Sequence, residues 1–310
     1  MRRIILIATT LVLVAAAAGC RDPESVRVVT YNLLHGLSCP SSTDFCKAPA
    51  RVHLLTHELE AADCPELVGL QEVAPRQEEL LPPALESICD GEYEIAYVGA
   101  NPFDNPMILT RLPVVEQGQL DIANFPWDAY WVRVDSPLGP IEFLTAHFAS
   151  SVNNPPCDET RCPPICPTGI STNECHAREV VEFFAGRPDD AVRVVSGDLN
   201  ALPGSTTLTT FTDAGYVDGW LEWKPECDPA TEQGCTGATE DPPGDLMGLD
   251  TVEGFAMTER IDYALVRPPA TCDLRYLGAS SFAGEPADPP EDGMYWASDH
   301  VGLTIDLKCA

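Results

Sequence analysis

The chain has 310 residues, with 48 acidic against 18 basic side chains and a formal net charge of −30. It holds three lysines (Lys47, Lys224 and Lys308), so it lacks the cationic surface on which tight or processive binding to a polyanion rests. A 45% hydrophobic content and the absence of an internal repeat or long linker point to one large α/β domain with a substantial core. In chain order, Arg2-Arg3 form a basic n-region, residues 4–14 an apolar stretch too short to span a bilayer comfortably, and residues 15–19 a small-residue cleavage zone. Residues 1–19 are therefore expected to be a signal peptide, residues 20–25 a short tether, and residues 26–310 the folded domain. Periodicity predicts strands over 26–31, 67–71, 93–98, 107–110, 130–134, 141–147, 192–196, 261–266 and 301–307. Helical patterns fit 50–62, 75–88 and 173–184. Several strands are separated by short Pro/Gly turns alone. That mixture predicts sheets of mixed direction covered by helices, not a doubly wound parallel sheet.

The segment Ala17-Ala18-Gly19-Cys20 resembles a bacterial lipoprotein signal, with Ala17 in place of the usual leucine. The resemblance implies lipidation of Cys20 and anchoring in the cell envelope, at either membrane; ordinary cleavage and secretion is the alternative. Thirteen cysteines less Cys20 leave twelve, an even number, as expected of an exported, disulfide-bonded protein. The cluster Cys157, Cys162, Cys166 and Cys175 could instead bind zinc, but its spacing lacks paired C-x-x-C knuckles. Two Pro/Cys/Gly-rich stretches, near 150–172 and 224–250, read as surface insertions pinned by disulfides.

Polar groups stand where predicted strands meet loops: Asn32, Glu72, His147, Asp198 with Asn200, Asp262, and Asp299-His300. Strand ends are where sites collect in α/β proteins. Any one of these residues alone is better explained as a turn former, a helix cap or a hydrogen-bonded histidine. Asp198 and Asn200, two residues apart after an apolar run, are expected to point to one side of a strand and converge. An acid able to take a proton from water, beside an amide able to donate to an oxyanion, suits phosphoester hydrolysis.

Taken in order, T-Y-N-L-L at 30–34, L-Q-E-V at 70–73, T-A-H at 145–147, S-G-D-L-N at 196–200, R-I-D-Y at 260–263 and S-D-H at 298–300 resemble the endonuclease/exonuclease/phosphatase superfamily. Residues 108–113, Ile-Leu-Thr-Arg-Leu-Pro, match its apolar-(Ser/Thr)-Arg-x-Pro segment. The resemblance covers about residues 26–308. It implies a four-layer α/β sandwich of two mixed sheets flanked by helices, and a metal-dependent phosphoester hydrolase. Glu72 would be the principal ligand of Mg²⁺ (Mn²⁺ or Ca²⁺ being alternatives), with Asn32 beside it and Asp299 as a second carboxylate. Asp198 would activate water, Asn200 would hold a non-bridging oxygen, and His300, oriented by Asp262, would bind the phosphate. His147 would be a candidate general acid, oriented by Asp104 or Asn105, and its presence resembles the deoxyribonuclease- and sphingomyelinase-like branches. His35 is expected to play a supporting role. The substrate is left open among nucleic acid, phospholipid and small phosphodiester, with no protein partner expected. The aromatic cluster Trp127, Tyr130 and Trp131 is assigned to core or site rim. A surface-displayed, catalytically inactive binding module of the same fold is the competing class.

Overall fold

The computed structural model describes residues 22–35, 39–40, 44–98, 105–123, 129–150, 154–238 and 244–310. The expected signal peptide, Cys20, Asp104 and Trp127 lie outside the described residues. One six-stranded sheet has the order β13 (Leu274–Phe282), β14 (Gly302–Cys309), β1 (Val26–Asn32), β2 (Leu67–Val73), β4 (Asn105–Thr110), β3 (Glu94–Val98). The other has the order β5 (Val114–Leu120), β6 (Ala129–Ser136), β7 (Gly139–His147), β8 (Val192–Asp198), β12 (Asp262–Arg267), β9 (Val217–Asp218). Each sheet holds one parallel pair, β1 with β2 and β7 with β8, among antiparallel neighbours. A two-stranded ribbon joins β10 (Gly237–Ala238) to β11 (Met257–Glu259). The helices are α1 (Asp44–Ala61), α2 (Pro75–Leu85), α3 (Thr172–Ala185) and α4 (Thr206–Asp213).

Three apolar cores separate four layers, so the expected sandwich is the observed one. One core joins α1 and α2 to the first sheet, through Leu55, Leu59, Leu81, Val29, Tyr31, Val68 and Leu70. A second lies between the sheets and is built from Val26, Val28, Leu67, Phe143, Val192, Val194, Ala264 and Ile305. The third packs α3 and α4, through Ala177, Val180, Phe184 and Phe211, onto Leu144, Val195 and Leu265. The alternation along each strand assigns its faces. Val26 and Val28 fill the inter-sheet core while Val29 and Tyr31 face the helices; β7, β8 and β12 divide in the same way.

The two sheets are in tight contact at Gly69. A Cβ on Gly69 would stand 2.6 Å from Thr145 Oγ1 and 2.8 Å from Ser196 Oγ. Buried Gln71 crosses the gap, donating from Nε2 to Thr145 Oγ1 at 2.8 Å and to Thr30 Oγ1 at 3.2 Å. The twelve cysteines after Cys20 lie in six disulfides: 39–46, 64–89, 157–162, 166–175, 227–235 and 272–309. The 157–162 and 166–175 disulfides tie the first Cys-rich stretch to the start of α3, the 227–235 disulfide closes a loop inside the second, and the zinc alternative for the 157–175 cluster has no free thiolates to rest on. Among the described residues no helix is long and apolar enough to cross a membrane.

Candidate active site

Strand alternation carries four polar side chains into the seam between the sheets. Residue 32 shares a face with Val28 on β1, as does 147 with Phe143 on β7, 198 with Val194 on β8, and 262 with Ala264 on β12. Glu72 does not follow from alternation, which would group it with Val68 and Leu70 on the helix side. The β2–β4 register shifts between Leu70 and Val73, and Glu72 takes a left-handed φ of 56°. This bulge-like irregularity re-aims the carboxylate into the seam. Strained backbone of this kind clusters at functional sites.

The groups meet there in two overlapping clusters. In the first, Glu72 Oε1 lies 3.8 Å from His147 Nδ1, and Asp198 Oδ2 lies 3.6 Å from His147 Nε2. Asn32 Nδ2 bridges the acids, donating to Glu72 Oε1 at 2.9 Å and Asp198 Oδ2 at 3.1 Å. In the second, His300 Nδ1 binds Asp262 Oδ2 at 2.9 Å and its Nε2 stands 3.8 Å from Asp198 Oδ2. Thr236 Oγ1 accepts from the backbone amides of Ile261 and Asp262 at 3.1 Å each, fixing the start of β12. His35 adds a backbone donor to Glu72 Oε2 at 3.1 Å, with its ring Nε2 3.4 Å away.

Burial sets the electrostatics. It opposes ionisation of Glu72, but His147, His35 and the Asn32 amide outweigh it and bring the carboxyl down to about 2. Burial and the neighbouring Asp262 charge push Asp198 up to about 6, against the pull of His147 and His300. Burial and the Glu72 charge also raise Asp299, opposed by His300 and Arg51. For His300, burial favours the neutral ring, yet Asp262, through charge and hydrogen bond, holds the imidazole well above its ordinary value. One seam thus presents carboxylates of different basicity beside protonated imidazole, the divergence that acid–base chemistry uses.

The expected site residues are brought together, with two shifts of duty. Asn32 presents its NH₂ to the acids, while its Oδ1 accepts from Leu34 N at 3.0 Å. Asn200 has a φ of 46°, its backbone N donates to Asp198 Oδ1 at 2.9 Å, and its Nδ2 reaches Phe148 O at 3.0 Å. The alternation expected to carry it alongside Asp198 therefore ends with the strand. Of the two residues weighed as orienting His147, Asn105 donates to Glu78 Oε1. Tyr130 and Trp131 are buried, the latter 5% exposed, and belong to cores below the seam.

Supporting residues escaped the sequence reading. Fully buried Arg51 donates to Ala297 O at 2.7 Å, Phe45 O at 3.0 Å, Leu34 O at 2.7 Å and Leu33 O, tying the loop after β1 to the loop that carries Asp299 and His300. Its signal was a cation on the buried face of α1, in line with Leu54 and Leu55 at helical spacing. Buried Asn173 donates to Ala149 O at 2.9 Å and Leu199 O at 2.7 Å, joining the ends of β7 and β8. Gly197, φ 138°, is required by contact: a Cβ there would lie 1.9 Å from Ala146 O.

The oxygen donors fit a hard divalent cation. Glu72, Asp198 and Asp262 meet in the seam through two overlapping clusters, Asp299 lies close enough to feel the Glu72 charge, and Asp262 Oδ1 is buried without a hydrogen-bond partner among the described residues. Fold and site together define a metal-dependent phosphoric ester hydrolase. The sequence profile of the Endonuclease/Exonuclease/phosphatase family matches residues 29–300, and the chain belongs to that family. Humanized D. rerio TDP2 is similar in structure, with a TM-score of 0.62 and 16% identity over 92% of this chain and 99% of that one. A Bacteroides thetaiotaomicron mannosyl-6-phosphatase superposes with a TM-score of 0.62 and 16% identity, covering 91% and 99%. An endonuclease/exonuclease/phosphatase family protein from Leptotrichia buccalis gives 0.59 and 12%, covering 91% and 99%. No curated protein sequence matches the chain.

Proposed function

We propose that the chain is an exported, lipid-anchored, Mg²⁺-dependent phosphodiesterase acting on a small or lipid-derived phosphodiester. The observation that carries the reading is the seam itself, where Glu72–His147–Asp198 and Asp198–Asp262–His300 share one carboxylate. Glu72 and Asp299 would hold the cation, with Asn32 fixing Glu72 in place. A bound divalent cation supplies charge neutralisation and polarises the phosphoryl oxygens. Asp198 takes the proton of the attacking water, its raised basicity suiting that task. His300, kept protonated and oriented by Asp262, donates to a non-bridging oxygen. The Asn200 amide hydrogen not used on Phe148 O serves a second such oxygen. His147, between Glu72 and Asp198, delivers a proton to the leaving group.

The net charge of −30 favours a compact substrate over a polynucleotide, although D. rerio TDP2 has been solved with a single-strand DNA product. Six disulfides suit an oxidising compartment, and Cys20 in its lipoprotein-like context supports the anchor. Hydrolysis of bis-p-nitrophenyl phosphate with Mg²⁺, compared with p-nitrophenyl phosphate and with chelator added, tests the reaction. Glu72→Gln and His300→Ala should each lower kcat by about 10²–10⁴-fold. Unchanged rates would remove these residues from the mechanism. A folded protein inactive with every divalent metal would favour the binding-module class.

A further inference from the structure

The strands that feed the seam share one direction, and the chain enters at the other end. β1 and β2 run parallel toward Asn32 and Glu72, and β7 and β8 run parallel toward His147 and Asp198. β12 and β14 run the opposite way, so Asp262 and the Asp299-His300 loop stand at their starts. The far pole holds the first residue of β1, where Val26 pairs with Leu307 near the end of β14. From Val26 to Asn32, β1 rises about 20 Å.

The entry to that pole is short and fixed. Asp22 O accepts from Ser25 N at 3.0 Å and from Ser25 Oγ at 2.6 Å, and Asp22 Oδ1 accepts from Glu24 N at 2.9 Å. Lys308, on β14, donates to Asp22 Oδ2 at 2.7 Å and stands 3.0 Å from Glu24 Oε2. Exposed ion pairs hold weakly, but Ser25 is 3% exposed and is fixed by burial. Cys20 precedes Asp22 by two positions and Ser25 by five. Extended chain from Cys20 reaches at most ~7 Å to Asp22, or ~18 Å to Ser25 were the ion pairs to open. Neither reach equals the height of β1, and turning the seam onto a bilayer that holds Cys20 requires a path around the whole domain.

We infer that the seam opens away from the anchoring membrane and that its substrate is a water-soluble phosphodiester, not a phospholipid of that membrane. The lipid anchor and the phosphodiesterase reaction proposed above are the premises of this orientation. A headgroup diester released into solution reaches the seam by diffusion. A diester still embedded in the bilayer would have to rise by the height of the domain, exposing its acyl chains to water at a cost that grows with every methylene. A tether too short to span two sites gives them an effective concentration near zero.

The full chain, lipidated at Cys20 and reconstituted into phosphatidylcholine vesicles, is assayed with two diesters that share one leaving group. Methyl p-nitrophenyl phosphate is supplied in solution and hexadecyl p-nitrophenyl phosphate within the same bilayer. With Mg²⁺, nitrophenolate release from the embedded diester should be about tenfold slower or more at equal total concentration. A 30-residue Gly/Ser linker inserted between Arg21 and Asp22 adds roughly 30 Å of reach. It should raise cleavage of the embedded diester about fivefold or more and leave the soluble rate unchanged. Equal cleavage of the two diesters by the unmodified chain, or no gain from the linker, would overturn the inference and leave the phosphodiesterase reading standing. Cleavage of neither diester would overturn that reading, and a chain that fails to float with the vesicles would overturn the anchor; either result takes the orientation with it.

Discussion

Gly197 and Asp262 show how single atoms hold the seam together. Gly197 precedes Asp198 and lies against β7, where a methyl group would enter the Ala146 carbonyl. Its φ of 138° is also one that an L side chain rarely adopts. Gly197→Ala should therefore cost about 4 kcal/mol or more, read as a fall in the urea midpoint, and inactivate what still folds. Asp262→Asn keeps the shape but exchanges an acceptor for an amide opposite His300 Nδ1. The expected result is a drop in kcat with KM nearly unchanged, together with a lower imidazole pKa in NMR titration; an unmoved titration would separate Asp262 from His300. Four of the site positions were legible because they obey a period of two: Asn32, His147, Asp198 and Asp262 follow their strands into the seam. Glu72 reached it through a register shift that no alternation encodes, and only its L-Q-E-V context marked it. Asn200 was readable as a site residue, but its left-handed backbone and its bond to Phe148 O were not.

Among the elements, those with apolar alternation and buried faces were the ones the sequence disclosed. β5, V-V-E-Q-G-Q-L, and β13, L-R-Y-L-G-A-S-S-F, escaped because edge strands need no buried face, and most of their residues are partly or fully exposed. α4 is T-T-L-T-T-F-T-D, poor in helix formers, and is held by the Ser205 cap and by buried Thr207 and Phe211. Such a segment becomes helical through tertiary packing, which propensity does not register. Arg51 illustrates the coupling between elements. From α1 it serves carbonyls of two loops at once, and burial lowers its guanidinium to about 10. Arg51→Met should strand those carbonyls, cost about 3 kcal/mol, and lower kcat by loosening the loop bearing Asp299 and His300. Arg51→Lys should recover part of the stability and less of the turnover, since an ammonium cannot reproduce the fork.

Over the whole molecule, stability should respond to pH through one buried and one half-buried group on α3 that act in opposite directions. His176 is fully buried; its Nδ1 accepts from Ala149 N at 3.4 Å and its Nε2 donates to Ala123 O at 2.6 Å. Burial lowers it to about 4, with His147 acting in the same direction and the Ala123 carbonyl against. The folded state therefore binds fewer protons than the unfolded chain between about pH 4 and 6.5. Stability is full above about 6.5 and falls by up to ~3 kcal/mol as pH drops toward about 4. Glu179, which accepts from Ala123 N at 2.8 Å, is pushed by burial up to about 7. It binds more protons when folded, so its contribution is lost as pH rises from 4.5 through about 7. Urea unfolding should show His176→Gln gaining relative stability at about pH 4.5 and Glu179→Gln gaining it at about pH 7.5; parallel shifts at both pH values would refute the assignment.

β14 sits between β13 and β1, pairing the C-terminal segment with the N-terminal strand. The loop that enters it delivers Asp299 and His300 to a seam whose other members come from β1, β2, β7, β8 and β12. The consequence is one of timing during synthesis. A nascent chain can complete the second sheet once β12 has emerged, but it holds no complete seam until β14 follows and closes the first sheet. Chains stalled or cut before Gly302 are expected to be hydrolytically silent, and a separately supplied 295–310 peptide is expected to restore turnover only as it docks beside β1.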